Sequence, residues 1–389
     1  MATSARAYFK LLHRRLLKTR QKTLSTIGLR NSLVVLSLVI SALPFGSVMA
    51  QENDPIPVFA YYYIWFDTKS WDRAKIDYPI LGRYSSDDAE VMLQHIKWAK
   101  AAGIDGFIVS WKSTDKLNPR LDQLVELASK EGFKLAIIYE SLDFARDPLP
   151  VEKVRTDLDY FIARYAGHTV FDLYQKPVII WSGIWKYSVE DVQSVTQDRR
   201  EHLLILASEK NVEGYQRVAS LVDGDAYYWS SVNPETHPGY VEKLKDMGET
   251  VHANGGIWVA PAAPGYDARL VGGTTVVERN DGQTLKNEMK AAYRSSPDAI
   301  GIISWNEFSE NSHIEPSQSY GKYYLDILAD IIHVTEPVVY NFDSSEPVNT
   351  QDDLTGNAYR VAALGFLAVL IISSLWVVIR RDNRATPKD

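Results

Sequence analysis

The chain has 389 residues, 42 basic and 49 acidic side chains, 46% hydrophobic residues and no cysteine. So much apolar content with only 23% charge supports a large core and excludes a disordered or collagen-like chain. Without cysteine there is no disulfide scaffold, thiolate zinc site, iron–sulfur cluster or cysteine nucleophile, so any chemistry falls to other groups.

In chain order, residues 1–50 carry eight Lys/Arg and no acid. Behind this basic lead, the apolar run Leu33 to Leu43 gives way to Pro44, Gly46 and Val48-Met49-Ala50, short residues of the kind a signal peptidase reads before Gln51. Residues 1–50 are therefore expected to be a signal peptide, with an uncleaved anchor as the alternative. At the other end, 335–357 holds five acids, two prolines and no base, the composition of a stalk. Val361 to Ile379 follows as 19 residues without a charge, enough at about 1.5 Å per residue to span a hydrocarbon core. A transmembrane helix over 358–380 is expected, with Arg380, Arg381, Arg384 and Lys388 placing the tail 381–389 in the cytoplasm and 51–334 outside. The expected localisation is thus a single-pass membrane protein with an extracytoplasmic domain. Removing both ends leaves 29 basic against 47 acidic residues in 51–357, a surface that repels phosphate backbones and argues against nucleic-acid binding.

From 57 onward, short apolar or aromatic runs alternate with helix-period segments. Strands are expected at Val58–Phe66, Gly106–Trp111, Lys134–Glu140, Pro177–Ser182, Leu203–Ser208, Ala226–Ser231, Ile257–Ala262 and Ile300–Trp305. The helical stretches are 87–102, 118–131, 150–166, 188–201, 212–222, 238–253, 284–296 and 319–333, several closed by glycine. Continuous apolar strands alternating with helices imply parallel strands buried on both faces. Eight such units match a single (β/α)8 TIM barrel over 51–334, with an open doubly wound sheet as the alternative.

In a barrel the reacting groups sit at the C-terminal strand ends. Those positions carry Trp65, Trp111, Trp181, Trp229 and Trp305, with the tyrosines 61–63 and Glu140. A ring of indoles around an acidic mouth suits sugar rings, whose C–H faces stack on aromatics while carboxylates accept from hydroxyls. After the eighth strand, Glu307 and Glu310 stand three apart where a turn would bring both carboxylates to one side of the mouth. Glycoside cleavage needs two carboxyl groups in different protonation states, and this segment supplies both.

The segment Ser304-Trp305-Asn306-Glu307-Phe308-Ser309-Glu310-Asn311-Ser312-His313-Ile314-Glu315-Pro316 resembles the pattern S-W-N-E-W-H-E-G-T-Q-I-E-P of glycoside hydrolase family 99, the endo-acting α-mannosidases and α-mannanases. Further similarity lies in Tyr61-Tyr62-Tyr63-Ile64-Trp65, in Ala102 to Trp111 and in Pro264-Gly265-Tyr266-Asp267. The resemblance implies a retaining cleavage of an α-linked, α-mannan-like glycan in which the substrate's 2-hydroxyl is the nucleophile. Glu307 would be its base and Glu310 the acid and later base. It also implies that Tyr266 hydrogen-bonds near the reacting centre and that Glu140 contacts substrate. The chain departs from the pattern at Phe308, Ser309, Asn311 and Ser312, which leaves α-mannan open against another α-glycan. The residues expected to bind substrate are Tyr62, Trp65, Trp111, Glu140, Trp229, Tyr266, Trp305 and Asn306.

No metal and no cofactor is implied, since the eight histidines form no HExxH or His-X-His motif and Gly272-Gly273 lacks a following Lys-Ser/Thr clamp. The expected partners are an oligo- or polysaccharide substrate and, through the C-terminal helix, the membrane. A membrane-tethered glycan-binding protein without turnover is the alternative, disfavoured because a lectin has no need of the Glu307 and Glu310 pair.

Overall fold

The computed structural model describes residues 55–332 except Ala74. Eight parallel strands close a barrel: β1 (Val58–Tyr63), β2 (Gly106–Trp111), β3 (Lys134–Glu140), β4 (Val178–Ser182), β5 (Leu204–Ala207), β6 (Gly224–Ala226), β7 (Ile257–Ala262) and, after a short β8/β9 hairpin (Tyr266–Asp267 with Val276–Val277), β10 (Ala299–Ile302). Pairing of Val58, Phe59 and Ala60 with Ile300, Gly301 and Ile302 joins the last strand to the first, which rules out the open doubly wound sheet. Helices follow the strands: α1 (Ala89–Ala101), α2 (Leu117–Glu131), α3 (Val151–Tyr165), α4 (Val189–Thr196), α5 (Val212–Val218), α6 (Tyr240–Ala253), α7 (Gln283–Arg294) and α8 (Tyr323–Ile332).

Local chemistry explains the punctuation. Asp88 caps α1 by accepting from Glu90 N, Ser188 and Asp191 form a reciprocal capping box on α4, and Gly132 ends α2 in the left-handed conformation at φ 63°. Gly106 opens β2 where a Cβ would lie 2.5 Å from Lys134 O and 2.7 Å from the Phe59 ring, so the neighbouring strands require a residue without one. β6 differs from expectation. It is Gly224-Asp225-Ala226, and Tyr227 to Ser231, which reads as strand by its aromatic content, is the loop leaving the barrel.

The strand pleat sorts the core into two layers. Phe59, Tyr61, Ile108, Ile138, Ile180 and Leu206 fill the barrel interior. The alternate residues Tyr62, Val109, Trp111, Ile137 and Ile179 pack outward beneath the helices.

The expected single-pass localisation and membrane partner are corrected by the helices themselves. Among the described residues no helix is long and apolar enough to cross a membrane. The longest have 15 residues, about 22 Å against a hydrocarbon core of about 30 Å, and their outer faces are charged because they coat a barrel. The signal segment 1–50, the stalk 335–357, the helix 358–380 and the tail 381–389 lie outside the described residues.

Candidate active site

The segment after β10 is tied down by its own backbone. Ser304 N donates to Ser312 O, Ile314 N to Ser304 O and Glu315 N to Trp305 O, so residues 304–315 form a closed loop with Glu307 and Glu310 at its bend. His313 stacks on Phe308 at 3.9 Å between ring centroids and meets Asp77 at 3.2 Å. Arg279 Nη2 donates to the carbonyls of Asn311 and His313 at 2.9 and 2.8 Å. Burial and the Arg279 charge hold His313 down at about 4, neutral at physiological pH.

Asn306 points into this scaffold. Its Oδ1 accepts from Tyr63 N at 2.8 Å and its Nδ2 donates to Tyr63 O at 2.9 Å, so it bolts the 304–315 loop to the end of β1. It is fully buried, which removes it from the expected substrate-binding set and makes it a positioning residue.

Glu307 is 7% exposed; its amide donates to Ser304 Oγ at 2.8 Å and its Oε1 accepts from Ser309 N at 2.9 Å. Burial, and then the Glu310 charge, push its carboxyl up to about 7, against the stabilising Ser309 hydrogen bonds and the Lys75 ammonium. Glu310 is also raised, chiefly by burial and further by Glu140, while Arg146 opposes the shift. Burial thus disfavours the charged form of both carboxyl groups, and the Glu310 charge adds to that effect on Glu307. Glu140, at the end of β3, accepts from Ser110 Oγ at 2.9 Å and is likewise raised by burial. Tyr266 comes to the same place because Asp267 N donates to Glu310 O at 2.7 Å, and Tyr266 feels the charges of both Glu310 and Glu307. The structure therefore brings Glu307, Glu310, Glu140 and Tyr266 together.

The indole ring is not there. Tyr62 faces α1, with its hydroxyl 3.1 Å from His95 Nδ1 and its ring stacked on Phe107 at 4.4 Å. Trp111 packs against Phe161 at 5.8 Å under α3, and Trp181 against Tyr187 at 5.0 Å. Trp305 sits between His95 and Phe107, and Trp229 stacks on Tyr240 of α6 at 4.5 Å. All five lie in the layer between strands and helices; the pleat sends Tyr62, Trp111 and Trp181 outward, and the loops after β6 and β10 carry Trp229 and Trp305 there. Of the expected indoles only Trp65 opens to the mouth, 38% exposed and 4.4 Å from the Tyr63 ring.

Tyrosines take the vacated inward positions. Tyr63 and Tyr228 share a hydrogen bond of 2.6 Å, and both hydroxyls are raised by burial beside Glu307 and Glu310. Tyr61 lies edge-on to Tyr228 at 5.0 Å. Lys75 and Arg146 are the nearby cations. Sequence reading placed the tyrosines 61–63 at the mouth but singled out Tyr62 rather than Tyr63, and it missed Tyr228, Lys75 and Arg146. The signal for Tyr63 was available in the period of two, since Phe59, Tyr61 and Tyr63 share one face; Lys75 and Arg146 come from irregular loops that carry no such period.

Comparison with known proteins gives the family of the barrel. The model of glycosyl hydrolase family 99 matches residues 62–328. Glycoprotein endo-alpha-1,2-mannosidase of Rattus norvegicus is 25% identical over 279 residues, 64% of this chain and 59% of that protein. A glycoprotein endo-alpha-1,2-mannosidase-like protein of Danio rerio is 24% identical over 66% of this chain and 63% of its own length. The chain spans about three-fifths of the length of the curated relatives it matches. Among solved structures, the family-99 endo-alpha-mannosidase of Bacteroides thetaiotaomicron superposes with a TM-score of 0.62 at 21% identity, covering 71% of this chain and 96% of that one, a likeness of fold. With the family model matched across the whole barrel and the carboxylate pair at its mouth, the chain belongs to glycosyl hydrolase family 99.

Proposed function

We propose that the protein is a glycoside hydrolase that cleaves an α-linked mannose-containing glycan with retention of configuration. The observation that carries this reading is the pair Glu307 and Glu310 on one loop after β10 at the mouth of the barrel, both raised by burial and Glu307 also by the Glu310 charge. Glu307 takes the proton of the substrate's 2-hydroxyl, O2 attacks C1, and the glycosidic C1–O bond breaks as its oxygen receives a proton from Glu310. The product of this step is a 1,2-anhydro sugar. Water then gives a proton to Glu310 and adds to C1, the C1–O2 bond opens, and O2 recovers its proton from Glu307, which restores both carboxyl groups.

Position supports this division of roles better than titration does. Glu307 is the group held at about 7, yet the base must enter the reaction ionised. Once the proton resides on Glu310, the like-charge repulsion on Glu307 is gone and its ionisation is eased, with the Lys75 ammonium as an additional aid. Glu140 and Tyr266 flank the pair and supply an acceptor and a hydroxyl for substrate oxygens, while Trp65 offers its exposed face to a sugar ring.

The test is incubation of the full-length protein with a panel of α-mannans and α-glucans. Release of oligosaccharides from α-mannan by wild type, and none by Glu307→Gln, supports the proposal. Release from α-glucans alone overturns the sugar assignment, and undiminished release by Glu307→Gln overturns the chemistry.

A further inference from the structure

Large exposed hydrophobics are distributed unevenly over the barrel. Among the described residues seven are exposed, Trp65, Phe144, Leu270 and Val271 among them. Every one lies between the C-terminal end of a strand and the first residue of the helix that follows; none sits on the opposite face. Scattered exposed apolar residues need no explanation, but their confinement to the active-site face does.

Phe144 is the extreme case, with its ring wholly in solvent on the loop between β3 and α3. That loop is built to be rigid. Asp143 Oδ1 accepts from Ala145 N at 2.8 Å and Asp147 N at 2.9 Å, Asp143 N donates to Asp147 O, and Arg146 N donates to Asp143 O. A bridge between Leu142 and Pro148 and the bond from Leu149 N to Ser141 O close its base. Arg146 adopts a left-handed backbone at φ 66°, and its charge reaches Glu310, Glu140 and Tyr266. The loop therefore starts at Glu140 beside the carboxylate pair and carries Phe144 at its tip. A bare phenyl ring held on a fixed turn has little side-chain entropy to lose on stacking.

Strand order gives the direction. β3 and β7 stand opposite each other in the closed barrel, with three strands between them either way round. A glycan lying from the β3 loop to the β7 loop crosses Glu140, then Glu310, then Tyr266, with Phe144 at one end and Leu270 and Val271 at the other. We propose that Phe144 is a sugar-stacking platform at the β3 end of this path, engaging a pyranose ring beyond those joined by the cleaved bond and so setting a preference for longer chains. This inference rests on the reading of the site as an α-mannoside hydrolase and adds where the rest of its substrate lies.

The experiment compares full-length wild type, Phe144→Ala and Phe144→Trp on an aryl α-mannoside, an α-linked mannose disaccharide and the corresponding hexasaccharide, with KM from turnover and Kd from calorimetry. Phe144→Ala is expected to raise KM and Kd for the hexasaccharide by about three- to tenfold, the span of one aromatic contact, and to leave the aryl glycoside and disaccharide unchanged. Phe144→Trp is expected to retain the wild-type preference for length. An equal effect of Phe144→Ala on short and long substrates, or no effect on either, overturns the inference. Wild type that binds the hexasaccharide without turning it over overturns the hydrolase reading instead, and the calorimetric comparison still decides the role of Phe144.

Discussion

Glu307 and Glu310 illustrate how one residue sets the titration of its neighbour. Removing the Glu310 charge takes away the second-largest cause of the Glu307 shift and leaves burial in place. In Glu310→Gln, the acid limb of the kcat/KM profile on an activated aryl glycoside is therefore expected to move below pH 7, because Glu307 ionises more readily. A limb that stays in place contradicts the assignment of Glu307 as the ionised base. The same variant should lose about 10² to 10⁴-fold on a natural glycoside and far less on the aryl substrate, whose leaving group needs no proton. Parallel turnover assays on the two substrates measure this. Glu307→Gln should be impaired on both, since the 2-hydroxyl must give up its proton in either case.

At the scale of the strand, alternation decides what each aromatic does. Trp111 and Trp65 both stand at strand ends, yet one is buried under α3 and the other opens to solvent. Trp111→Ala is expected to cost about 3–5 kcal/mol of stability, as other buried large-to-small changes do, with little change in KM for whatever remains folded. Trp65→Ala should behave oppositely, raising KM while the denaturation midpoint hardly moves. Denaturant titration alongside kinetics separates the two. Asn306 belongs to neither class. Asn306→Ala leaves the Tyr63 N–H and C=O without their partner, so a loss of about 2 kcal/mol is expected together with a fall in kcat larger than the rise in KM. A variant with unchanged kcat would show that the β1 bolt is not needed to aim the pair.

Across the whole molecule the site costs stability above neutral pH. Glu307 is raised from 4.5 to about 7, and Glu288 and Asp225, both fully buried, are raised well above their ordinary values by burial. A carboxyl raised in the fold contributes stability that is present below its unfolded pKa and is lost as pH rises through the folded one. Asp77 runs the other way: held low by His313, it contributes above its ordinary 3.8 and is lost in acid. From these groups, thermal stability is expected to peak near pH 4 and to decline as pH rises through about 7. Glu307→Gln should recover part of that decline, at most about 3 kcal/mol from the size of its shift, raising Tm at pH 8 and leaving it unchanged at pH 4. Scanning calorimetry of both proteins at the two pH values provides the check, and equal shifts at both would contradict it.

The barrel was legible in the chain because each of its parts is a local pattern. Four expected strands, at Gly106, Lys134, Ile257 and Val58, start where the structure starts them, since β-branched and aromatic runs bounded by Gly, Lys and Asp announce themselves within a few residues. The Glu307 and Glu310 segment was legible for the same reason, as contiguous residues after the last strand. What only the tertiary structure decided is which side each residue shows. A strand buried on both faces carries no polar alternation to tell inside from outside, so Tyr62 and Trp111 read as a mouth and proved to be the layer under the helices, where the loops after β6 and β10 also carry Trp229 and Trp305. Tyr228, Lys75 and Arg146 reach the pair from three separate loops, and their convergence depends on the closure of the barrel and on loop conformations that no period in the sequence encodes.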